Sequence, residues 1–299
     1  MRRRDLSGAG RGAAMPVTAD AANSADTTPA RHRPPRVLAL LAAAHGGPAL
    51  AVTVITGLLA LRGGLHPFHA VAVTAAVFTG QLTIGWGNDL LDFARDRAVG
   101  RTDKPLAVGS LPAGWVARAL AVAAVASLVL SAFGGWRSAL VNVVLATGAG
   151  HAYNLGLKAT PWSWAPYACG FGTLPSVVTL AGPAPDWAPG WMTGAGAALG
   201  VGAHLLNVLP DLADDERTGV RGLPHRIGEH LSRVLAAVLL TAASVLAVAG
   251  PAGPPPAWTW PALALVVVLA VVTLCARGRA PFRAAVTIAL LDVVLLTAG

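Results

Sequence analysis

Two short stretches hold eight of the fourteen acidic residues in this 299-residue chain: Asp89, Asp92, Asp96 and Asp103, then Asp211, Asp214, Asp215 and Glu216. The first reads N-D-L-L-D-F-A-R-D-R-A-V-G from residue 88, and the second N-V-L-P-D-L-A-D-D-E-R-T-G from residue 207. Asn88, Asp92, Asp96 and Gly100 recur as Asn207, Asp211, Asp215 and Gly219 at a constant offset of 119 residues, which reads as an internal repeat. On a helix, positions i, i+4 and i+8 put three oxygen-bearing side chains on one face. Like charges stacked this way repel, and a hard divalent cation removes the penalty. Mg²⁺ takes one or two carboxylates, keeps some waters and completes its shell with phosphate oxygens. Two facing clusters therefore suit a diphosphate gripped through Mg²⁺. A single Asp-x-x-x-Asp would read as a solvated helix end. Two copies in register, in a chain this poor in charge, favour the metal–phosphate site.

Basic groups follow each cluster. Arg101 and Lys104 lie in R-T-D-K-P-L-A-V-G, and Arg217, Arg221 and Arg226 follow the second cluster. Between the clusters comes H-A-Y-N-L-G-L-K, with Tyr153 and Lys158. Cations beside carboxylates and metal fit a leaving group that departs as diphosphate. They equally fit the excess of Lys and Arg in cytoplasmic loops, and spacing alone does not separate the two accounts for Arg101, Lys104 and Lys158. For Arg277, Arg279 and Arg283, topology is the better account. His45, His151 and His204 share no ligand spacing and read as interior histidines, although His204 sits one turn before Asn207 and is placed to line a cavity. Asp214 and Glu216 fall off the face of Asp211 and Asp215. Asp292 is isolated in the last apolar stretch, with no role legible. Gly85, Gly87 and Asn142 read as packing positions.

The elements that must hold these residues are membrane helices. Hydrophobic types make up 55% of the chain and charged types only 12%, against about 25% charged in a soluble domain. This excludes a soluble globular protein, a disordered chain and a nucleic-acid binder, despite a net charge of +8. Cys169 and Cys275 are too few for a disulfide framework or a Cys-based zinc site. Apolar runs predict an all-α, polytopic bundle of nine spans: 37–61, 68–88, 113–132, 137–156, 163–182, 190–210, 232–250, 258–276 and 281–298. With the N-terminus in the cytoplasm, nine spans leave only Arg62 and Arg137 of the 22 Lys and Arg on the far side. Trp162, Trp164, Trp187, Trp191, Trp258 and Trp260 fall near span ends, as interfacial aromatics do. Residues 1–35 are polar, without periodicity, and read as a disordered cytoplasmic tail ahead of one transmembrane domain, 36–299.

With Asn88, Asp89, Asp92 and Asp96 in N-D-x-x-D-x-x-x-D, the chain resembles the UbiA superfamily of intramembrane prenyltransferases. Asp211 and Asp215 are similar to its second Asp-x-x-x-Asp signature, with Gly219 and Gly222-Leu223-Pro224 trailing. Y-N-L-G-L-K resembles its Tyr-Ser-x-x-Leu-Lys segment, and R-T-D-K-P-L-A-V-G its Arg-x-x-Arg-Pro-Leu loop. The similarity runs over roughly residues 36–298. Two positions depart: Lys104 stands where Arg is common and Asn154 where Ser is common, and Lys lacks the bidentate fork of Arg.

The resemblance implies a Mg²⁺-dependent transfer of a prenyl group from its diphosphate to a lipophilic, aromatic acceptor in the lipid bilayer, at an inner-membrane site facing the cytoplasm. It implies Asp92, Asp96, Asp211 and Asp215 as catalytic metal ligands and Lys158 as a catalytic cation that, with Arg101, steadies the departing diphosphate. Asn88, Asp89, Arg101, Lys104, Tyr153, Asn207 and Arg221 would bind substrate. Two other classes compete: a membrane terpene cyclase that needs no acceptor, and a transporter built on repeats. Acids at helix ends rather than at the midplane disfavour the transporter.

Overall fold

The computed structural model describes residues 35–44, 46–102 and 104–296; the expected tail, apart from Pro35, and His45 and Asp103 lie outside them. The architecture is that of residues 35–296. Every regular element among the described residues is helical. They are α1 (Arg36–Ala43), α2 (Gly46–Arg62), α3 (Pro67–Ala98), α4 (Ala113–Ala132), α5 (Trp136–Leu140), α6 (Gly148–Asn154), α7 (Ala165–Thr179), α8 (Gly190–Val208), α9 (Leu212–Arg217), α10 (Leu223–Ala249), α11 (Thr259–Cys275) and α12 (Ala280–Leu296). A π-helical turn, Val141–Thr147, joins α5 to α6, and 3₁₀ turns cover Leu157–Ala159 and Leu209–Asp211.

Four helices are long and apolar enough to cross a bilayer: Pro67–Ala98, Ala113–Ala132, Gly190–Arg217 and Leu223–Ala249. A fifth crossing results if α1 and α2, bent by 79°, count together. The other stretches expected to span are helical but shorter or interrupted, at 15 residues for α7 and 17 each for α11 and α12. Outward faces are aliphatic: α4 exposes Val122, Val125, Leu128 and Val129, an apolar surface fit for lipid rather than water.

Helix α3 positions the first acid cluster by its length. Its 32 residues rise about 48 Å, against a hydrocarbon core of about 30 Å. The helix is thus longer than the apolar slab is thick, and Asn88 through Asp96 lie in its last turns. The bundle packs α3 on α2 and α4, and α8 on α7 and α10. Buried hydroxyls and amides cross between helices where no water competes: Ser127 Oγ donates to Ala76 O (2.9 Å), Ser138 Oγ to Val177 O (2.6 Å) and Asn142 Nδ2 to Ser131 Oγ (2.9 Å). The contact of α7 with α8 is closer still. A side chain on Gly196 or Gly200 would collide with the carbonyls of Phe171 and Tyr167, so glycine at both places lets the backbones meet.

The repeat in sequence is not a repeat in backbone. Helix α3 runs unbroken through the first cluster. Pro210 has no amide proton to continue α8, and the chain passes through the 3₁₀ turn Leu209–Asp211 before α9. Asn88, Asp92 and Asp96 share one continuous face, whereas Asn207, Asp211 and Asp215 fall on the end of α8, the 3₁₀ turn and α9 in turn.

Candidate functional site

The first cluster is buried. Asp89, Asp92 and Asp96 are 2%, 7% and 3% exposed, and carboxylates at such depth require counter-charge. Basic side chains from three places supply it. Lys104, from the loop after α3, reaches Asp89 Oδ1 (3.0 Å) and Asp96 Oδ2 (2.9 Å), and its Nζ donates to Asn88 Oδ1 (3.3 Å). Lys158, from the turn after α6, donates to both oxygens of Asp92 at 2.7 Å. Arg95, on α3 itself, reaches Asp92 Oδ2 at 2.8 Å and Asp96 Oδ1 at 4.0 Å. Burial pulls the Lys104 ammonium toward neutrality, but Asp89 and Asp96 outweigh it and its pKa is raised.

Beyond the π turn, α6 carries residues that lock onto α3. Asn154 Nδ2 donates to Ile84 O (2.8 Å), while its Oδ1 accepts from Asn88 Nδ2 (3.3 Å). Asn88 Nδ2 also donates to Asp92 Oδ2 (3.0 Å). Thr83 Oγ1 and His151 Nε2 stand 3.1 Å apart. This amide relay fixes the Asn88 side chain and, through it, one oxygen of Asp92.

The second cluster is open. Asp211 keeps 42% of its side-chain surface and Asp215 24%. Arg101, on the first cluster's side, reaches across to Asp211 Oδ1 at 3.8 Å. Asp215 feels the like charge of Asp211 and the opposite charges of Arg95, Lys158 and Arg101. The two rims therefore face each other across a shared set of bases. His225, almost fully enclosed, places Nε2 3.7 Å from Asp215 Oδ2.

Aromatic and hydroxyl groups lie between the rims. Tyr153 interacts electrostatically with both Asp92 and Asp215 and bonds Tyr167, which in turn bonds Asn207. His204 sits under them, 4.6 Å from the Tyr167 ring centroid and 5.7 Å from that of Tyr153. Ser163 ties the region together: it accepts from Leu223 N (2.8 Å) and pairs with His204 Nε2 (3.0 Å).

Most residues expected at the site are brought together: Asn88, Asp89, Asp92, Asp96, Arg101, Lys104, Tyr153, Lys158, Asn207, Asp211 and Asp215. Arg221 is not. Its side chain is 68% exposed and meets Glu216 at 3.8 Å. Asp214 pairs with Arg217 at the surface. Sequence reasoning missed Arg95, Tyr167, Ser163 and His225. Arg95 lies within the first motif, three residues after Asp92, and that spacing was the available signal.

Among the described residues no three His, Cys, Asp or Glu side chains gather to hold a metal unaided. The donor set is carboxylate oxygen, hard and mostly held by lysine on one side and accessible on the other. Such a set suits a cation that takes few protein ligands and fills its shell with water and phosphate, as Mg²⁺ does.

A model of the UbiA prenyltransferase family matches residues 17–289. A UbiA homolog from Aeropyrum pernix K1 has this fold with a TM-score of 0.70 at 15% identity, over 83% of this chain and 96% of that one. A UbiA homolog from Archaeoglobus fulgidus bound to GPP and Mg²⁺ follows at 0.64 and 14%, over 86% and 97%. The structure of a digeranylgeranylglyceryl phosphate synthase matches at 0.59 and 16%, over 88% and 96%. A search of curated proteins gives no match.

Proposed function

The chain belongs to the UbiA prenyltransferase family, and from that premise we propose that it transfers a prenyl group from a polyprenyl diphosphate to a lipophilic, aromatic acceptor, releasing diphosphate. The observation that carries this reading is the meeting of the two acid rims across shared bases, with Arg101 spanning to Asp211 and Lys158 seated on Asp92. The family homolog with GPP and Mg²⁺ supports the donor class.

In this reading Asp92, Asp96, Asp211 and Asp215 would hold Mg²⁺, and the cation, when bound, would supply Lewis-acid assistance to departure of the diphosphate. Asp211 and Asp215 are the accessible donors. Lys158, Arg101 and Lys104 lie where negative charge accumulates as the leaving group departs, and they stabilise it electrostatically. Asn88, held by Asn154, keeps Asp92 in place. Tyr153 and Tyr167 present aromatic faces beside the rims, where an allylic cation gains from ring quadrupoles. The prenyl tail lies among apolar helices, gaining about 0.8 kcal/mol per buried CH₂. Exclusion of bulk water protects the cation from hydrolysis. The positive-inside distribution of Lys and Arg supports nine spans with the N-terminus inside and a site at the cytoplasmic face of the inner membrane.

The test is diphosphate release by purified protein given Mg²⁺ and geranyl, farnesyl or geranylgeranyl diphosphate, with and without phenolic acceptors. Acceptor-dependent release that Asp92→Ala and Asp211→Ala each reduce at least a hundredfold supports the reading. A hydrocarbon formed without acceptor assigns a cyclase instead. Undiminished release by either variant refutes the residue assignment.

A further inference from the structure

The two rims differ in how their carboxylates are held. On the first, Asp92 Oδ2 accepts from Asn88 Nδ2 at 3.0 Å and from Lys158 Nζ at 2.7 Å. On the second, Arg95, Lys158 and Arg101 act on Asp215 through space, and the ion-pair partner it has among the described residues is His225, with Nε2 3.7 Å from Oδ2. The His225 side chain is 2% exposed. Neither of its ring nitrogens has a hydrogen-bond partner among the described residues. A buried polar group left unpaired carries its full desolvation cost, and an apolar side chain in the same place would carry none. Asp215 Oδ2 is an acceptor almost within reach: the separation is about 0.8 Å beyond an ordinary N–H···O bond.

The backbone brings His225 to that place. Val220 N donates to Asp215 O at 2.9 Å and Thr218 Oγ1 to the same oxygen at 3.0 Å. Gly219, with φ at +80°, turns the loop. Pro224 stands in the first turn of α10, where a missing amide proton costs nothing. Leu223 N donates to Ser163 Oγ at 2.8 Å, and a side chain on Gly222 would collide with Lys158 O. The start of α10 is thus pinned to the segment that carries Lys158, and His225 is registered against both rims.

We propose that His225 is a positioning residue for the second rim, its Nε2–H donating to Asp215 Oδ2 and turning the carboxylate to present Oδ1 to a divalent cation. The inference rests on the reading of Asp211 and Asp215 as cation ligands. An ionised carboxylate only accepts, so the bond takes the imidazole proton on Nε2. His225 then does for Asp215 what Asn88 does for Asp92. Carboxylates that ligate metals are themselves hydrogen-bonded, and loss of such a partner weakens metal binding by about 10–100-fold. The role belongs to one ring nitrogen, which separates it from packing. Glutamine places its amide nitrogen near the Nε2 position, asparagine near Nδ1, and leucine fills the space without a donor.

The experiment uses the full chain in phosphatidylcholine nanodiscs with Mn²⁺ as the probe, free Mn²⁺ being counted by electron paramagnetic resonance. His225→Leu and His225→Asn should each raise the Mn²⁺ dissociation constant about tenfold, and His225→Gln should recover most of that loss. On an Asp215→Ala background, His225→Leu should add nothing further. Unchanged affinity in the leucine variant overturns the proposal. So does a glutamine variant as weak as the leucine one, or a leucine effect that persists without the Asp215 carboxylate. If the leucine variant does not fold, the comparison of glutamine with asparagine decides. Wild-type binding that neither Asp211→Ala nor Asp215→Ala weakens refutes the cation assignment itself, and the role of His225 with it. Binding that those two variants weaken and the His225 variants do not overturns the role of His225 alone.

Discussion

Removing the Lys104 ammonium is the most demanding perturbation the site offers. Its Nζ lies 3.0 Å from Asp89 and 2.9 Å from Asp96, with side-chain exposures of 10%, 1% and 4%. Lys104→Met keeps the aliphatic stem and removes the counter-charge that Lys104 brings to two enclosed carboxylates, while Arg95 stays 4.0 Å from Asp96 Oδ1. Breaking a buried pair by deleting one partner costs about 3–5 kcal/mol, a fall of roughly a hundredfold or more in the folding constant. The assay is reversible unfolding in mixed micelles, titrated with denaturing detergent and followed by circular dichroism. The triple variant Lys104→Met, Asp89→Asn, Asp96→Asn should recover most of the loss, because neutral partners need no counter-charge. The pH dependence has a definite sign. The folded pKa of Lys104 is raised above its ordinary value of 10.5, so the stabilisation is fully present below 10.5 and is lost as pH rises through the higher folded value. A Lys104→Met protein within 1 kcal/mol of wild type at neutral pH would refute the claim that this lysine neutralises the first rim.

Ser163→Ala strands both the Leu223 amide and His204 Nε2; it should cost about 1–3 kcal/mol by the same unfolding titration and raise KM for the prenyl diphosphate, since the turn carrying Lys158 abuts Gly222. Asn154→Ala releases the Asn88 amide from α6 and should lower kcat about fivefold, in line with loss of one bond near 1 kcal/mol, with the fold intact by circular dichroism. Arg233 donates to Thr273 O (3.0 Å) and Ala276 O (2.6 Å) at the end of α11; Arg233→Ala should speed amide hydrogen exchange in the last turn of α11 and leave diphosphate release unchanged.

The acid motifs were legible because carboxylates near a membrane are costly and therefore sparse, so their spacing stands out against an apolar background. The shared face of Asn88, Asp92 and Asp96 followed from helical periodicity alone. Its counterpart failed at Pro210, whose effect on α8 was present in the sequence but was masked by the matching spacing of Asn207, Asp211 and Asp215. Arg221 was expected at the site from proximity in sequence, yet the turn at Gly219 carries it outward to Glu216. Gly85 was read as a packing position, and it lies against the backbone of Ala44. The Ser163–His204 link joins residues 41 apart, and no local pattern announces such a pair. Span count was the weakest point, because apolar runs mark helices without marking where the π turn or short helices such as α7 interrupt them.

The ammonium groups on Asp89, Asp92 and Asp96 have a consequence for biogenesis. Zinc fingers stay unfolded until their ion arrives. Here the chain carries its own counter-ions into the bilayer, so assembly is uncoupled from divalent supply. A chelator should silence catalysis at once while the melting profile stays where it was, and re-addition of Mg²⁺ should restore turnover without a refolding lag. Cells short of magnesium would then hold an intact, idle stock of this protein, ready the moment the ion returns.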